Sequence, residues 1–233
     1  FVPLSGRWRL WSGLASYLER QTWPHDQIRL ILMDTSQDPD FSQTVRQWLA
    51  TCDYPDIRHL QETVGSVGLA DAPRRDAKHE VSLAMARIYN RMRAELTTNY
   101  IWIVEDDIIP PDDACERLLR GFDKHTASVS GAYWSRHTNG YVAWNKNTNR
   151  WKRSPRGVQV VGGNGFGCVV LRAEVVKNSV FTATMDFPAY DHAFYYRLPL
   201  LGLKAKIDWE VECAHLEEAT GSEVGVDIVE SRG

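Results

Sequence analysis

An uninterrupted apolar run that ends in three acids restricts the fold of this chain more than any other feature. The run YIWIV covers residues 100–104, and Glu105, Asp106 and Asp107 follow it directly. A strand that is apolar at every position offers no face to water, so we expect it in the centre of a sheet. Central strands of this kind are typical of α/β proteins, in which helices cover both faces of a mostly parallel sheet.

The sequence before this run alternates between helix and strand patterns. Apolar residues recur at helical spacing in three segments, and short apolar runs between them are typical of buried strands. The predicted helices cover residues 10–20, 41–49 and 80–96, and the predicted strands cover 28–34 and 57–60. After residue 104, Pro110 or Pro111 should open a further helix with Asp112 and Asp113 in its first turn.

The second half of the chain has a different pattern. Residues 127–172 contain short strand-like runs separated by polar residues and glycines, which favours a small antiparallel addition and loops over one edge of the sheet. Residues 190–198 predict a short helix that ends near Pro199, and 205–211 predict a last strand. The chain shows no internal repeat and no low-complexity linker, so we expect one continuous domain.

Composition excludes several classes of function. The net charge of -3 gives no general attraction to nucleic acid or to anionic lipid. No apolar run approaches the ~20 residues that a membrane-spanning helix needs. The four cysteines are far apart and lack CxxC spacing, which favours free thiols and a cytoplasmic protein. Nucleic acid is therefore not expected as a partner, a membrane span is not expected either, and the sequence does not determine the oligomeric state.

Acidic side chains at strand ends point to ligand binding. In open α/β sheets ligands lie beyond the carboxyl ends of the strands, where Asp34 and the acids after Val104 belong. Continued extension would turn Glu105 and Asp107 to one side and Asp106 to the other. Mg²⁺ or Mn²⁺ takes one or two carboxylates and fills its other positions with water and phosphate oxygens. The alternative is a solvated strand end that also caps the next helix.

Several motifs resemble, in order, those of GT-A fold glycosyltransferases, and the chain most resembles the broad family 2 of these enzymes. The stretch YIWIVEDD is similar to the DxD-type metal motif, which follows a strand in that fold. The other similar segments are the first strand, nucleotide loop and helix (residues 1–24), the second strand with its acidic end (28–38), the ARN-type helix (84–92), the glycine-containing loop (161–176), the ED-type helix (188–204) and the C-terminal His element (212–216).

The resemblance implies a fold and an activity. The fold would be α/β and GT-A-like (Rossmann-like), with a mostly parallel central sheet, helices on both faces and a small antiparallel addition in the C-terminal half. Within the single domain 1–233, residues 1–122 would be the nucleotide-binding half and 123–233 the acceptor- and sugar-binding half. The activity would be transfer of a sugar from a nucleotide-diphosphate donor, with a UDP-sugar favoured, to a hydroxyl acceptor, with Mn²⁺ or Mg²⁺ as cofactor.

The resemblance also implies roles for individual residues. Asp107 and His215 would be metal ligands, with His192 as a weaker rival to His215. Asp191 would be the catalytic base of an inverting transfer, or would position the substrate in a retaining one, and the sequence does not fix the stereochemistry. Its structural role would be a helix N-cap, which is compatible with either. Residues implied in donor binding are Pro3, Leu4, Ser5, Asp34, Arg87, Asn90, Glu105, Asp106, Gly163 and Asn164. Among these, Asp34 would bond the base and Asp106 would lie near the ribose and the metal.

Other functions and roles stay open from sequence. A sugar nucleotidyltransferase shares the nucleotide-first α/β design, although its usual glycine-rich basic signature near the first strand is reduced here to PLSGRWR at 3–9. A sugar- or nucleotide-binding module without catalysis is a further alternative. Arg75 and Lys78 could steer the diphosphate. The segment 134–156, with Trp134, Trp144 and Trp151 among basic residues, could be either a mobile lid or an ordinary hairpin.

Overall fold

The structure is a computed structural model that describes residues 1–63, 75–135, 140–145, 149–152, 154–184 and 189–217, with backbone alone for 75–78. Its helices are α1 (Trp8–Arg20), α2 (Pro39–Leu49), α3 (Arg75–Ala94), α4 (Ala114–Arg120), α5 (Ala173–Lys177) and α6 (Tyr190–Arg197). Its strands are β1 (Val2–Leu4), β2 (Arg29–Asp34), β3 (Asp56–Gln61), β4 (Tyr100–Val104), β5 (Ile108–Ile109), β6 (Thr126–Ala132), β7 (Ala143–Trp144), β8 (Val158–Val161), β9 (Gly163–Asn164), β10 (Cys168–Arg172), β11 (Lys204–Glu212) and β12 (Ala214–His215).

The N-terminal part of the sheet is parallel, as the alternation of helix and strand predicts. Strands β1, β2 and β3 are neighbours in that order and all run in the same direction. Leu4 at the end of β1 pairs with Asp34 at the end of β2. The carboxyl ends of the first two strands therefore lie side by side, which is the edge where α/β proteins place ligands.

The C-terminal strands enlarge the sheet in a way that the sequence does not predict. They form a five-stranded sheet with β4 in the order β4-β10-β6-β11-β8. Strand β10 is antiparallel to both β4 and β6, whereas β11 is parallel to β6. The expected antiparallel addition is present, but β10 and β6 lie inside the sheet rather than over one edge. The backbone N–H of Val104 donates to the Phe1 carbonyl at 3.0 Å, which brings β4 next to β1.

Helices cover both faces of the sheet, as predicted. Along β10, Val169 packs in the apolar cluster that contains Met92 of α3, and the next residue, Val170, packs in the cluster that contains Leu118 of α4. Strand β2 shows the same alternation between α3 on one face and α1 with α2 on the other. Side chains of successive strand residues point to opposite faces, so each central strand contributes to two cores.

Local sequence explains where the helices begin. Pro39 opens α2, and the carboxylate of Asp38 caps it by accepting from the backbone N–H groups of Asp40 and Phe41. Helix α4 begins later than predicted, at Ala114, so Asp112 and Asp113 precede the helix and Glu116 is its first-turn acid. Within the part of the chain that the structure describes, no helix has the length and apolarity that crossing a membrane requires.

Candidate functional site

The acidic segment, which we define as residues 105–107, lies beyond the carboxyl ends of β1, β2 and β4. The chain leaves the extended conformation after Val104, because the backbone N–H of Ile108 turns back and donates to the carbonyl of Glu105 at 3.0 Å. The prediction that Glu105 and Asp107 face the same side is therefore wrong. The turn sends Glu105 in one direction and brings Asp106 and Asp107 to a common partner, Arg7.

Asp106 joins the end of β4 to the loop after β1. One of its oxygens accepts hydrogen bonds from both the backbone N–H and the hydroxyl of Ser5, each at 2.7 Å. Its other oxygen forms an ion pair with the Arg7 guanidinium. Burial raises the pKa of Asp106, the Arg7 charge opposes that shift and the charge of Asp107 adds to it. Ser5, predicted near the nucleotide, is therefore part of the acidic site.

Gly6 is the residue that allows Ser5 and Arg7 to reach this site. Its φ of +86° lies in the left-handed region that residues with a Cβ rarely adopt. A Cβ built at this position would also lie 2.8 Å from the Cβ of Ser36. The turn at Gly6 directs Arg7 toward the acids just before α1 begins at Trp8.

The guanidinium of Arg7 and the imidazole of His215 lie beside the same oxygen of Asp107. Its Oδ2 lies 2.8 Å from Nη1 of Arg7 and 3.6 Å from Nε2 of His215. His215 arrives here because β12 pairs with β5, which places it opposite Ile108, the residue after Asp107. A carbonyl oxygen can only accept, so the 2.6 Å contact between Nδ1 of His215 and the Trp134 carbonyl makes Nδ1 the donor.

This arrangement fits a divalent cation held by two protein side chains. In neutral His215 the proton is on Nδ1, so Nε2 presents a lone pair toward the Asp107 carboxylate, as metal-binding histidines do. Adjacent ligands of an octahedral cation with bonds of ~2.1 Å lie about 3 Å apart, so little adjustment is needed from 3.6 Å. Among the described residues no group of three or more His, Cys, Asp or Glu side chains could hold a metal, so a cation here would take its other ligands from water or a bound ligand.

Glu105 points into an aromatic cluster on the α3 and α6 side. Its Oε1 accepts from the hydroxyl of Tyr89 at 3.1 Å and from that of Tyr190 at 3.2 Å. Burial, with the nearby charge of Asp107, raises the pKa of Glu105 to about 7. Glu105 therefore connects the acidic segment to Tyr190, the first residue of α6.

Asp191, the predicted base, is the second residue of α6. Its Oδ1 accepts from the backbone N–H of His192 at 2.8 Å. The helix N-cap is Ala189, so the N-cap role considered for Asp191 is wrong. Burial raises the pKa of Asp191, although the charges of His192 and Arg150 oppose that shift. A carboxylate that binds a proton more readily suits a general base, and Tyr190 ties this end of α6 to Glu105.

Asp34 is buried at the end of β2 and its carboxylate has partners within the protein. Oδ1 accepts from the backbone N–H of Ser36 at 2.9 Å, and Oδ2 accepts from the hydroxyl of Ser42 and lies 3.4 Å from Nε2 of His59. Burial alone would raise the pKa of Asp34, but the hydrogen bonds together lower it to about 2. The contact with a nucleobase stays a prediction. The turn-forming role of Asp34 is visible in the hydrogen bond from the Ser36 N–H.

Two predicted donor-binding residues on α3 have other surroundings. The side-chain amide of Asn90 donates to the Phe181 carbonyl at 2.8 Å and accepts from the Phe181 N–H at 3.1 Å. This pair of bonds fastens the segment before α6 to α3. Arg87 is exposed on α3. The nucleotide contacts predicted for Asn90 and Arg87 stay predictions.

The glycine-containing loop is packed tightly under an aromatic ring. A Cβ on Gly163 would lie 2.3 Å from Trp144 and 2.8 Å from Tyr195. Asn164 is buried, and its amide donates to Ser130. Trp144 pairs with Gly163 through β7 and β9 and is 5% exposed, so it belongs to an ordinary antiparallel pair rather than to a free lid face.

The remaining predicted residues are Pro3 and Leu4, His192, and several basic residues whose side chains the structure does not describe. Pro3 and Leu4 are buried or paired within β1, beside β2 and next to Ser5. His192 lies against the Trp144 ring, with ring centroids 4.2 Å apart, and its role as a metal ligand stays a prediction. Three basic residues of the segment 134–156 and the side chains of Arg75 and Lys78 lie outside the described residues. The three are Arg136, Lys146 and Arg153.

Arg7 is the site residue that the sequence reasoning missed. A signal was present, because Arg7 follows a glycine at the end of the first strand, where α/β proteins bind anions. A single arginine after a glycine is common, however, and only the pairing with Asp106 and Asp107, about 100 positions away, gives it meaning.

Comparisons with known proteins identify the fold but not a sequence family. No protein-family model matches the chain, and no curated protein matches it. Among solved structures, the mannosyltransferase PcManGT from Pyrobaculum calidifontis, in complex with GDP-Man and Mn²⁺, is 14% identical with a TM-score of 0.61, and the match covers 94% of this chain and 57% of that one. S. aureus TarS 1–349 in complex with UDP-GlcNAc is 13% identical with a TM-score of 0.57, and the match covers 88% of this chain and 54% of that one.

These similarities confirm the predicted fold class. The chain has a GT-A-like α/β fold with a parallel N-terminal sheet, as expected from its motifs. It spans about half the length of the two glycosyltransferase structures that it matches. At these identities the similarity shows the fold alone, so activity, donor and metal are matters for a proposal.

Proposed function

We propose that this protein is a metal-dependent glycosyltransferase that moves a sugar from a nucleotide-diphosphate donor, with a UDP-sugar favoured, to a hydroxyl acceptor. The observation that carries the proposal is the meeting of Asp106, Asp107 and His215 beyond the carboxyl ends of β1, β2 and β4. This edge is where α/β folds bind nucleotides, and the two similar structures contain a GDP-sugar and a UDP-sugar.

Asp107 and His215 would hold Mn²⁺ or Mg²⁺ in this proposal. A cation bound there would neutralise negative charge on the diphosphate and stabilise it as the leaving group. The Trp134 carbonyl keeps Nε2 of His215 directed at Asp107. Ser5 holds Asp106 by two hydrogen bonds, so the carboxylate is already oriented for the position beside the ribose and the metal that we assign to it.

Asp191 would accept the proton of the acceptor hydroxyl as that oxygen attacks the sugar. Burial raises its pKa, which increases its tendency to take up a proton. The hydrogen bond between Tyr190 and Glu105 fixes the start of α6 relative to the acidic segment. The acidic segment and the helix that carries the candidate base are thereby joined by a side-chain contact.

The nucleoside would lie along the ends of β1 and β2. Pro3, Leu4 and Ser5 would contribute backbone groups, and Asp34 would contribute to recognition of the base. In the adjoining half of the fold, Gly163 and Asn164 would support the wall of the sugar pocket from within, since Gly163 lets Trp144 approach closely. Specificity for the donor sugar and for the acceptor would then depend on side chains around these fixed positions.

A transfer assay tests the proposal. The protein is incubated with UDP- and GDP-sugars and a panel of hydroxyl acceptors, with Mn²⁺, with Mg²⁺ or with EDTA, and the released nucleotide is measured. We expect release of UDP or GDP with Mn²⁺ or Mg²⁺ and almost none with EDTA. Full activity with EDTA would contradict metal dependence.

A binding assay separates the two alternative functions. Thermal stabilisation by a nucleoside triphosphate alone, with pyrophosphate release from a sugar phosphate, would favour a sugar nucleotidyltransferase. Retained binding of metal and UDP or GDP with no transfer and no hydrolysis across the whole panel would favour a binding module without catalysis.

A further inference from the structure

Arg7 contributes a positive charge to the same carboxylates that we assign to donor and metal binding. Its guanidinium pairs with Asp106 and lies 2.8 Å from Oδ2 of Asp107. The Arg7 side chain is 16% exposed, and the two carboxylates are more deeply buried. Buried carboxylates require a countercharge, so this arginine is an integral part of the site rather than a surface cation.

Arg7 and a divalent cation compete for one oxygen atom. Oδ2 of Asp107 faces both Nη1 of Arg7, at 2.8 Å, and Nε2 of His215, at 3.6 Å. A cation bound by Asp107 and His215 would have the guanidinium as its immediate like-charged neighbour. That repulsion is relieved if Arg7 exchanges its carboxylate partners for an anion that enters together with the cation.

We propose that Arg7 binds the diphosphate of the donor, and that it leaves Asp107 for the phosphate oxygens when a divalent cation takes its place. The inference rests on the proposed function and adds to it a residue that couples metal binding to diphosphate binding. The guanidinium suits this exchange, because its planar set of N–H donors matches carboxylate and phosphate oxygens equally well.

The surroundings of Arg7 favour an incoming phosphate. Arg7 directly precedes α1, a helix of 13 residues whose first turn contains no acid and which has no side-chain cap. The positive end of the helix dipole therefore adds to the charge of Arg7. Gly6 holds the turn in which this residue can face the carboxyl ends of the strands. Arg7 would thus need to redirect only its side chain to reach a diphosphate beside Asp106.

Mn²⁺ binding, followed by electron paramagnetic resonance of the free ion, tests the inference without relying on activity. Titrations are done with and without UDP, and repeated with GDP, on the wild type, Arg7→Gln and Arg7→Lys. Arg20→Gln is the control, because Arg20 is at the far end of the helix that Arg7 precedes and forms an exposed ion pair with Asp112. Affinity for UDP in the presence of Mn²⁺ is measured by calorimetry on the same samples.

Two results are expected if Arg7 makes this exchange. Without nucleotide, Arg7→Gln should bind Mn²⁺ roughly five- to tenfold more tightly than the wild type, because the competing charge on Asp107 is gone. In the wild type the nucleotide should strengthen Mn²⁺ binding by roughly 5- to 150-fold, and this coupling should be clearly smaller in Arg7→Gln. Arg7→Lys keeps the charge but lacks the planar donors, so it should lose nucleotide affinity while its Mn²⁺ affinity stays near the wild-type value.

The outcomes separate the two proposals. If the wild type binds Mn²⁺ with UDP or GDP but Arg7→Gln and Arg7→Lys behave like Arg20→Gln, the role of Arg7 is overturned and the proposed function stands. If the wild type shows no Mn²⁺ binding with either nucleotide, metal dependence and the exchange are both overturned. If Arg7→Gln does not fold, Arg7→Lys decides alone, and unchanged nucleotide affinity in that variant overturns the role of Arg7.

Discussion

Nδ1 of His215 donates a hydrogen bond to the backbone carbonyl of Trp134 at 2.6 Å, and this contact determines which ring nitrogen faces Asp107. The contact joins residues 81 positions apart and leaves Nε2 facing the Asp107 carboxylate at 3.6 Å. Two groups that both attract a cation are therefore directed at each other in the place where the fold binds its ligands.

Replacement of His215 by glutamine should weaken Mn²⁺ binding in the presence of UDP by at least roughly tenfold, since an imidazole ligand and its fixed orientation are both lost. Free Mn²⁺ measured by electron paramagnetic resonance gives the affinity. His25→Gln is the matched control, because His25 is paired with Asp53 and stacks on Tyr54, away from the acidic segment. Equal affinities in the two variants would remove His215 from the metal site.

Replacement of Asp107 by asparagine should abolish the metal-dependent part of nucleotide binding. In the wild type we expect UDP or GDP to raise the unfolding temperature only when Mn²⁺ is present. Asp107→Asn should show no such increase, because the amide carries no charge to attract the cation. Asp112→Asn changes an exposed acid of the same segment and should behave like the wild type. A full thermal shift in Asp107→Asn would refute the assignment.

Replacement of Asp191 by asparagine should slow sugar transfer without weakening nucleotide binding. The amide keeps the shape of the side chain but cannot take up the acceptor proton, so kcat should fall by roughly 10²- to 10⁴-fold while nucleotide affinity stays close to that of the wild type. Steady-state kinetics and calorimetry give the two quantities. Glu174→Gln, an exposed acid in the first turn of α5, serves as control. Near-normal turnover in Asp191→Asn would exclude Asp191 as the base.

Alanine substitutions at Gly6 and Gly13 should change the stability of the protein in opposite directions. Gly6→Ala should lower the free energy of unfolding by roughly 1–2 kcal/mol, because φ is +86° and the new Cβ would lie 2.8 Å from that of Ser36. Gly13→Ala should raise it by roughly 0.5–1 kcal/mol, because Gly13 is in α1 and a Cβ there meets nothing within 4 Å. Urea unfolding measures both, and similar changes in the two variants would contradict the assigned turn.

Asp34 should make stability depend on pH in the acid range. Its pKa is about 2 in the folded protein against an ordinary value of 3.8, which corresponds to about 2 kcal/mol of stability. A lowered carboxyl pKa stabilises the folded state above the unfolded value, and that contribution is lost as pH falls from 3.8 toward about 2. Urea unfolding of the wild type and Asp34→Asn should therefore differ most near neutral pH and converge in acid. If the free energies of unfolding of the two proteins differed by the same amount at all pH values, the lowered pKa of Asp34 would not be the cause.

Periodic patterns of apolar residues were sufficient to predict helices and strands of the fold. The apolar spacing of α1 and the continuous apolarity of β4 predicted both correctly, because helical and strand periodicity depend only on near neighbours along the chain. The order of the later strands was not predictable in this way. Strand β10 is inserted between β4 and β6, and nothing local distinguishes a strand that pairs on both sides from one at an edge.

The candidate site, too, was predictable from the sequence only in part. The sequence by itself determined that carboxylates follow two buried strands, because Asp34 and Asp107 come where apolar runs end. Only the tertiary structure decided that Arg7 and His215 meet at Asp107, since these residues are brought together by a turn at Gly6 and by the pairing of β12 with β5. Strand ends are set by local preference, whereas partners 100 residues apart depend on sheet order and register, which arise only when the whole chain packs.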